Sequence, residues 1–278
     1  MEVLNGVFFV RLRSVGRGKY LAADVDGRGV CLTGQRGTHN TVWAVQRATA
    51  PDGAPCVILR SCYGRYLMPT GRRASLLVPS RGVTTQQSAL GYHPPPPAFL
   101  WRPARRRGSY VLRNYTGCVL RANGRYLRSW RKIVTAAHDS ESNMVMWDIQ
   151  RVPVRANRPN IVDPAPQLTH KHRAPPTEQE VTRQVRCIHA QPNGNFDHNQ
   201  WLTLVLSSND LTRLKIILAS CMGHHVGDIS ICIKAGIHGR LSPLLIDLPI
   251  GNDLIDLVIL SHNTPMETGL RFPDVEAP

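Results

Sequence analysis

One pattern recurs three times in the first half of the chain and limits the folds open to it. Residues 12–21 have the sequence LRSVGRGKYL, residues 59–67 LRSCYGRYL and residues 112–120 LRNYTGCVL. Each copy is a short apolar-polar alternation, a glycine-containing turn and a second short alternation, which is typical of a β-hairpin. Gly18, Gly64 and Gly117 stand where a tight turn needs a positive φ, so three similar hairpins are predicted.

Each copy also ends with a tryptophan in an apolar run, TVWAV at Trp43, FLWR at Trp101 and VMWDI at Trp147. Between hairpin and tryptophan lies one further apolar run, VCLT, SLLV or KIVT. Each unit is therefore about four strands long, whereas ankyrin and tetratricopeptide units are shorter and helical. A propeller would need more than three such units. The repeats predict a closed, twelve-strand β-trefoil with the tryptophans packed in its core.

These segments resemble a plant family of unknown function. The likeness is carried by VRLRS through GKYLAAD, by LRSCYGRYL, by CVLRANG and by SWRKIVTAAHD, and it covers residues 1–153. The chain departs from the family at residues 80–108, which carry extra proline and arginine. The resemblance implies that residues 1–153 form an actin-cross-linking-like, or fascin-like, β-trefoil.

The second half changes in pattern. Residues 154–183 are proline-rich, polar and without periodicity, so they are interpreted as a linker. Residues 184–262 show the order β-β-α-β-β-β, with Ser208 or Asn209 as the predicted helix cap and apolar residues at 211, 214, 217 and 218 on one face. This order predicts a smaller α+β domain, a ubiquitin-like β-grasp, and HGRLSPLLIDLP resembles the second domain of the same family. Residues 263–278 are expected to be a polar, frayed tail. The fold class is mainly β.

Motifs for catalysis, metals and cofactors are missing. The sequence has no P-loop, no complete dinucleotide fingerprint and no G-x-S-x-G elbow. The stretch Asp24-x-Asp26-Gly27 is expected to be a β-turn, because no further ligands follow at EF-hand spacing. Seven cysteines without a C-x-x-C pair suggest reduced thiols rather than zinc or disulfides, and no apolar run reaches 18 residues. We therefore expect a non-enzymatic protein with no cofactor, metal or transmembrane segment, located in the cytoplasm or the nucleus.

The remaining feature is basic charge. Residues 1–153 hold 23 Lys and Arg against 7 Asp and Glu, whereas residues 184–278 hold 6 against 9. Guanidinium groups suit contact with carboxylates and phosphates, so the loop clusters are the candidate ligand-binding residues. They are Arg72, Arg73, Arg105, Arg106, Arg107, Arg128, Arg131 and Lys132.

Several functions fit such a surface. The resemblance favours a binding module for an acidic protein surface, with F-actin as the partner. The alternatives are a nucleic-acid or anionic-lipid binder that uses the same arginines, or a protein-interaction scaffold. An arginine bias that reflects only genome composition also stays open. A sugar-binding trefoil would need aromatic and acid-amide pockets repeated threefold, which the sequence does not show.

Overall fold

The computed structural model describes residues 2–74, 83–89, 94–123, 133–138, 141–155, 157–159, 182–197, 199–235, 241–251 and 253–278. The chain divides into two compact units. The first unit contains Met1–Val154 together with Pro273–Pro278, and the second contains Arg155–Phe272. Most of the predicted linker, residues 154–183, lies outside the described residues.

The first unit contains twelve strands among the described residues, four in each repeat. They are β1 (Phe9–Ser14), β2 (Tyr20–Ala23), β3 (Val30–Thr33), β4 (Trp43–Thr49), β5 (Pro55–Arg60), β6 (Tyr66–Arg73), β7 (Val83–Ser88), β8 (Trp101–Arg106), β9 (Ser109–Asn114), β10 (Val119–Ala122), β11 (Val134–Ala137) and β12 (Trp147–Val152). The predicted strand SLLV lies outside the described residues, and β7 holds the third-strand position of the second repeat.

Six of these strands close into a barrel and six form hairpins beside it. Strands β1, β4, β5, β8, β9 and β12 pair in a continuous ring. The hairpins β2–β3, β6–β7 and β10–β11 contact one another through β7–β11 pairing and through isolated bridges from Gly29, just before β3, and from Cys31 in β3. This arrangement confirms the predicted β-trefoil.

The glycine of each repeated turn has a positive φ. Gly18, Gly64 and Gly117 have φ values of 62°, 70° and 92°. The Gly18, Gly64 and Gly117 amides donate to the carbonyl oxygens of Ser14, Ser61 and Asn114 at 2.8, 3.0 and 2.9 Å. A residue with a Cβ is disfavoured at such a φ, which explains why glycine recurs at this point of each repeat.

The three tryptophans occupy equivalent core positions. Trp43, Trp101 and Trp147 are fully buried, and each is the first residue of the fourth strand of its repeat. Their indole Nε1 atoms donate to the carbonyl oxygens of Leu21, Leu67 and Leu120 at 3.2, 2.9 and 2.9 Å. Each ring therefore joins a barrel strand to the hairpin of its own repeat, as predicted for residues that pack the shared core.

The second unit contains five strands and two helices in its described part. They are β13 (Arg183–His189), β14 (Leu202–Leu206), α1 (Leu211–Met222), β15 (Ile229–Lys234), β16 (Leu241–Pro243), β17 (Ile255–Ser261) and α2 (Pro265–Thr268). The sheet order is β14-β13-β17-β15-β16, with β13 parallel to β17 and the other pairs antiparallel. This topology confirms the predicted β-grasp.

Two details of α1 differ from the sequence-based expectation. Asp210 is the N-cap, not Ser208 or Asn209, and its side chain accepts from the Arg213 amide at 2.9 Å. The buried face consists of Leu211, Leu214, Leu218 and Ala219. Ile217 was predicted on that face but is 40% exposed. Apolar spacing alone does not separate the edge of a helix face from its centre.

The residues after 262 are not the frayed tail that their polarity suggested. Leu270 and Phe272 are buried in an apolar cluster of the second unit with Val258 and Leu260. Val275 is buried in an apolar cluster of the first unit with Phe9, Val42 and Val152. The chain therefore returns to the trefoil after it has completed the β-grasp. We call Pro273–Pro278 the returning segment.

Candidate binding surface

Three consecutive arginines stand at the connection between β8 and β9. Arg105 and Arg106 end β8, and Arg106 pairs with Ser109, the first residue of β9. Arg107 and Gly108 form the two-residue turn, with φ values of 47° and 81°. Two successive positive φ values are typical of a type I′ turn, for which Asn-Gly is a favoured pair. The chain thus places an arginine where asparagine would be accommodated more easily.

Within the part of the chain that the structure describes, neither packing nor pairing accounts for arginine at this turn. Among the described residues, only Arg107 and Asn263 combine a side chain with a positive φ. Such a conformation costs about 1–2 kcal/mol for a residue with a Cβ. The Arg107 Nη2 atom is 3.4 Å from Glu141 Oε2, but the two side chains are 65% and 82% exposed. An ion pair this exposed contributes little to stability, so the guanidinium is essentially presented to solvent.

Two further arginines of the same hairpin lie within its strands and are not among the residues predicted from the loop clusters. Arg102 on β8 and Arg113 on β9 lie directly opposite each other. Like charges in this arrangement are destabilising in a sheet. Strand alternation indicates the outward direction of Arg102. Its neighbours Trp101 and Pro103 point inward and are buried, so Arg102 lies on the outer face of the barrel. Together the five arginines Arg102, Arg105, Arg106, Arg107 and Arg113 form what we call the basic hairpin.

The surrounding sequence does not neutralise this charge. Residues 53–138 contain fifteen Lys and Arg and no Asp or Glu. The first acidic residue after the hairpin that the structure describes is Glu141, the exposed partner of Arg107. In space, the exposed Glu141 and Asp148, which follows the Trp147–Tyr110 pair on the neighbouring strand β12, lie beside the hairpin. Five arginines against these two carboxylates still leave the β8–β9 hairpin with an excess of positive charge.

The other predicted residues are placed elsewhere or lie outside the description. Arg72 and Arg73 end β6, which belongs to one of the hairpins beside the barrel, and both are exposed. Arg105–Arg107 stand at the β8–β9 connection, whereas the opposite end of β8, at Trp101, bonds to Leu67 of β6. Arg128, Arg131 and Lys132 lie outside the described residues. The described clusters thus belong to two separate places on the trefoil, and a ligand-binding role for any of them stays a prediction.

The candidates for metal or nucleophilic chemistry have structural explanations. Asp26 Oδ1 accepts from the Arg28 and Gly29 amides at 2.8 and 2.6 Å, so this aspartate closes a turn as predicted. Desolvation raises the pKa of the Cys62 thiol, which disfavours the reactive thiolate. Within the described ranges, no three His, Cys, Asp or Glu side chains are grouped so as to hold a metal ion. The same ranges contain no helix long and apolar enough to cross a membrane.

Solved structures with similar backbones share low sequence identity with this chain. The Rhizoctonia solani agglutinin matches with a TM-score of 0.41 and 12% identity over 52% of this chain and 95% of its own. A ricin B-like lectin of Macrolepiota procera in complex with lactose has a TM-score of 0.40 and 17% identity over 51% and 94%. Cry35Ab1 matches with a TM-score of 0.40 and 16% identity, and the match covers 56% of this chain but only 39% of Cry35Ab1. At these scores the likeness carries no functional argument.

Family models match both units, although no curated protein matches the chain. Residues 181–260 match a ubiquitin-like domain described as associated with DUF569. Residues 1–149, more than half of the chain, match a β-trefoil domain of unknown function, DUF569. The predicted pairing of a trefoil with a ubiquitin-like domain is confirmed, and the chain belongs to the DUF569 β-trefoil family.

Proposed function

We propose that the trefoil is a non-enzymatic binding module that contacts an acidic protein surface through the basic hairpin. The observation that carries this proposal is Arg107, an exposed arginine held in an unfavourable backbone conformation at the tip of the hairpin. Unfavourable backbone geometry that packing does not require is found most often at functional sites. Four more arginines on the same two strands enlarge the positive surface.

F-actin is the proposed partner. The support is the resemblance of residues 1–153 to actin-cross-linking-like trefoils, which is an argument by fold analogy. The charge of the hairpin is consistent with an acidic filament, because complementary potentials accelerate and orient association. Binding to F-actin is therefore tested first, and other acidic partners are tested beside it.

Nucleic acid fits the hairpin less well. Single-strand binding uses exposed aromatic rings on which bases stack. On the basic hairpin, Trp101 is fully buried and Tyr110 is half-buried, so the described part of this surface offers little ring area. Phosphate contacts alone would give sequence-independent binding of DNA or anionic lipid, and both are included in the test.

The test is co-sedimentation of the full chain with F-actin. Replacing Arg105, Arg106 and Arg107 together with serine should weaken binding by at least about tenfold, since three charge-assisted contacts are removed. The matched control replaces three exposed arginines elsewhere in the trefoil, Arg28, Arg47 and Arg151, and removes the same charge. The control should retain most of the binding.

The same proteins are measured against duplex DNA and anionic vesicles at moderate salt. Wild-type binding to DNA or vesicles without binding to filaments would replace the actin proposal by the nucleic-acid or lipid alternative. Equal losses in both triple variants would mean that net charge, and not the hairpin, determines binding.

A further inference from the structure

The outer face of β1 is buried although strand alternation directs it away from the barrel. Val10 and Leu12 point into the barrel, and Phe9, Arg11 and Arg13 alternate with them on the outside. Arg13 is exposed as expected, whereas Phe9 is 8% and Arg11 only 1% exposed. Part of the outer barrel surface is therefore covered.

The returning segment provides this cover through backbone contacts. Pro273 forms an antiparallel bridge with Val154, two residues after the last barrel strand. The Asp274 amide donates to the Pro153 carbonyl oxygen at 2.9 Å. The Arg11 Nη2 atom donates to the carbonyl oxygen of Val275. Contacts of this kind recognise an extended backbone largely independently of its side chains.

Side-chain contacts add specificity. Val275 is 5% exposed and packs with Phe9, Val42 and Val152, which come from three different parts of the barrel. Burial lowers the pKa of Arg11, Arg36 lowers it further, and the Asp274 carboxylate opposes both. The site thus combines an apolar pocket for one aliphatic side chain with a buried guanidinium that favours a preceding acid.

We propose that this face of the trefoil is a peptide-docking site. It accepts Pro273–Ala277 of its own chain, and it accepts the same segment from a second copy of the chain. The segment is short and makes few contacts, so it opens more easily than the barrel strands. A vacated site exposes Phe9 and an unpaired Arg11, and an identical segment from another molecule satisfies both. Such exchange of an identical element is a general route to self-association.

A labelled peptide with the sequence of residues 270–278 tests this proposal. The receptor is the full chain with Val275→Asp, which removes the aliphatic anchor and vacates the site. Fluorescence anisotropy should show binding of the peptide to this variant, and binding to the wild type at least about tenfold weaker because the site is occupied in cis. The peptide that carries Val275→Asp itself should bind at least about tenfold more weakly than the natural one, since the valine pocket stays empty.

A second receptor variant distinguishes specific recognition of the peptide from non-specific binding. Adding Arg11→Met to Val275→Asp should weaken peptide binding, because the donor to the Val275 carbonyl is lost while the side chain keeps a similar length. Circular dichroism and the emission of the buried tryptophans verify that each receptor is folded. If Val275→Asp does not fold, the milder Val275→Ala replaces it and should show intermediate binding. No binding to a folded receptor, or equal binding to variant and wild type, would overturn the proposal.

Discussion

At the level of single residues, the trefoil uses a buried, hydrogen-bonded tryptophan at the same position of each repeat. Trp43, Trp101 and Trp147 each fill the core and satisfy the indole N–H with a carbonyl oxygen of the neighbouring hairpin. A buried indole needs such a partner, because an unsatisfied N–H in an apolar core costs free energy. The sequence repeats tryptophan where both packing and this bond are available.

We expect Trp147→Ala to lower the free energy of unfolding by about 3–5 kcal/mol, because a large buried ring is removed and a cavity remains. Trp147→Phe should have a smaller effect, since it keeps part of the ring and loses the bond to Leu120. Urea unfolding followed by circular dichroism measures both. An unchanged unfolding midpoint for Trp147→Ala would show that this ring does not support the core.

At the scale of elements, the connection from β17 to α2 carries a titratable group in a positive environment. His262 follows β17, and its Nδ1 atom is 3.3 Å from Arg158 Nη1. Its Nε2 atom is buried and has no hydrogen-bond partner among the described residues. Desolvation lowers the pKa of His262, Arg158 and Lys215 lower it further, and Glu267 and Asp228 oppose them. The neutral imidazole is therefore the form that suits the folded state.

This shift predicts how stability depends on pH. Because the folded state has the lower pKa, the unfolded chain binds the proton first as pH falls. Stability should be complete above the usual histidine pKa of about 6.5 and should decrease as pH falls below it. His262→Gln should flatten this decrease between about pH 7 and pH 5. Thermal unfolding across that range measures the slope, and an identical slope in wild type and variant would contradict the assignment.

At the scale of the whole molecule, the chain crosses from the trefoil to the β-grasp and back again. Val154 leaves the first unit and Pro273 re-enters it, and these two residues pair with each other. The β-grasp is therefore inserted between two segments that both belong to the trefoil. Tandem domains are joined by a single linker, and one cut in that linker separates them. In this protein one cut before the β-grasp leaves the returning segment attached to the β-grasp and packed on the trefoil.

Limited proteolysis should cleave first between residues 154 and 183, where the sequence is proline-rich and polar. The two fragments should still co-elute in size-exclusion chromatography, because the returning segment of the second fragment stays docked on the first. The same cleavage of the Val275→Asp variant should release separate fragments. First cleavage within the trefoil or the β-grasp would contradict the linker assignment, and separation of the wild-type fragments would contradict the docking contacts.

Sequence alone determined the features that depend on local chemistry and repetition. Glycine at three turns, tryptophan at three strand starts and the β-β-α-β-β-β order were sufficient for the trefoil and the β-grasp, because each follows from backbone preference or from the period of apolar residues. Arg107 was also found from sequence as part of an arginine cluster, but its positive φ was not, since the turn type depends on how β8 and β9 pair.

Which outward-facing residues meet solvent depends on tertiary contacts that the sequence pattern does not show. Arg11 and Arg13 are equivalent in the alternation of β1, yet one is buried and the other exposed. Val275 lies in a short polar stretch without periodicity, and it is buried because it meets Phe9, Val42 and Val152 more than a hundred residues away in sequence. Burial of this kind is set by contacts between distant segments, and no local pattern of residues records which segments will meet.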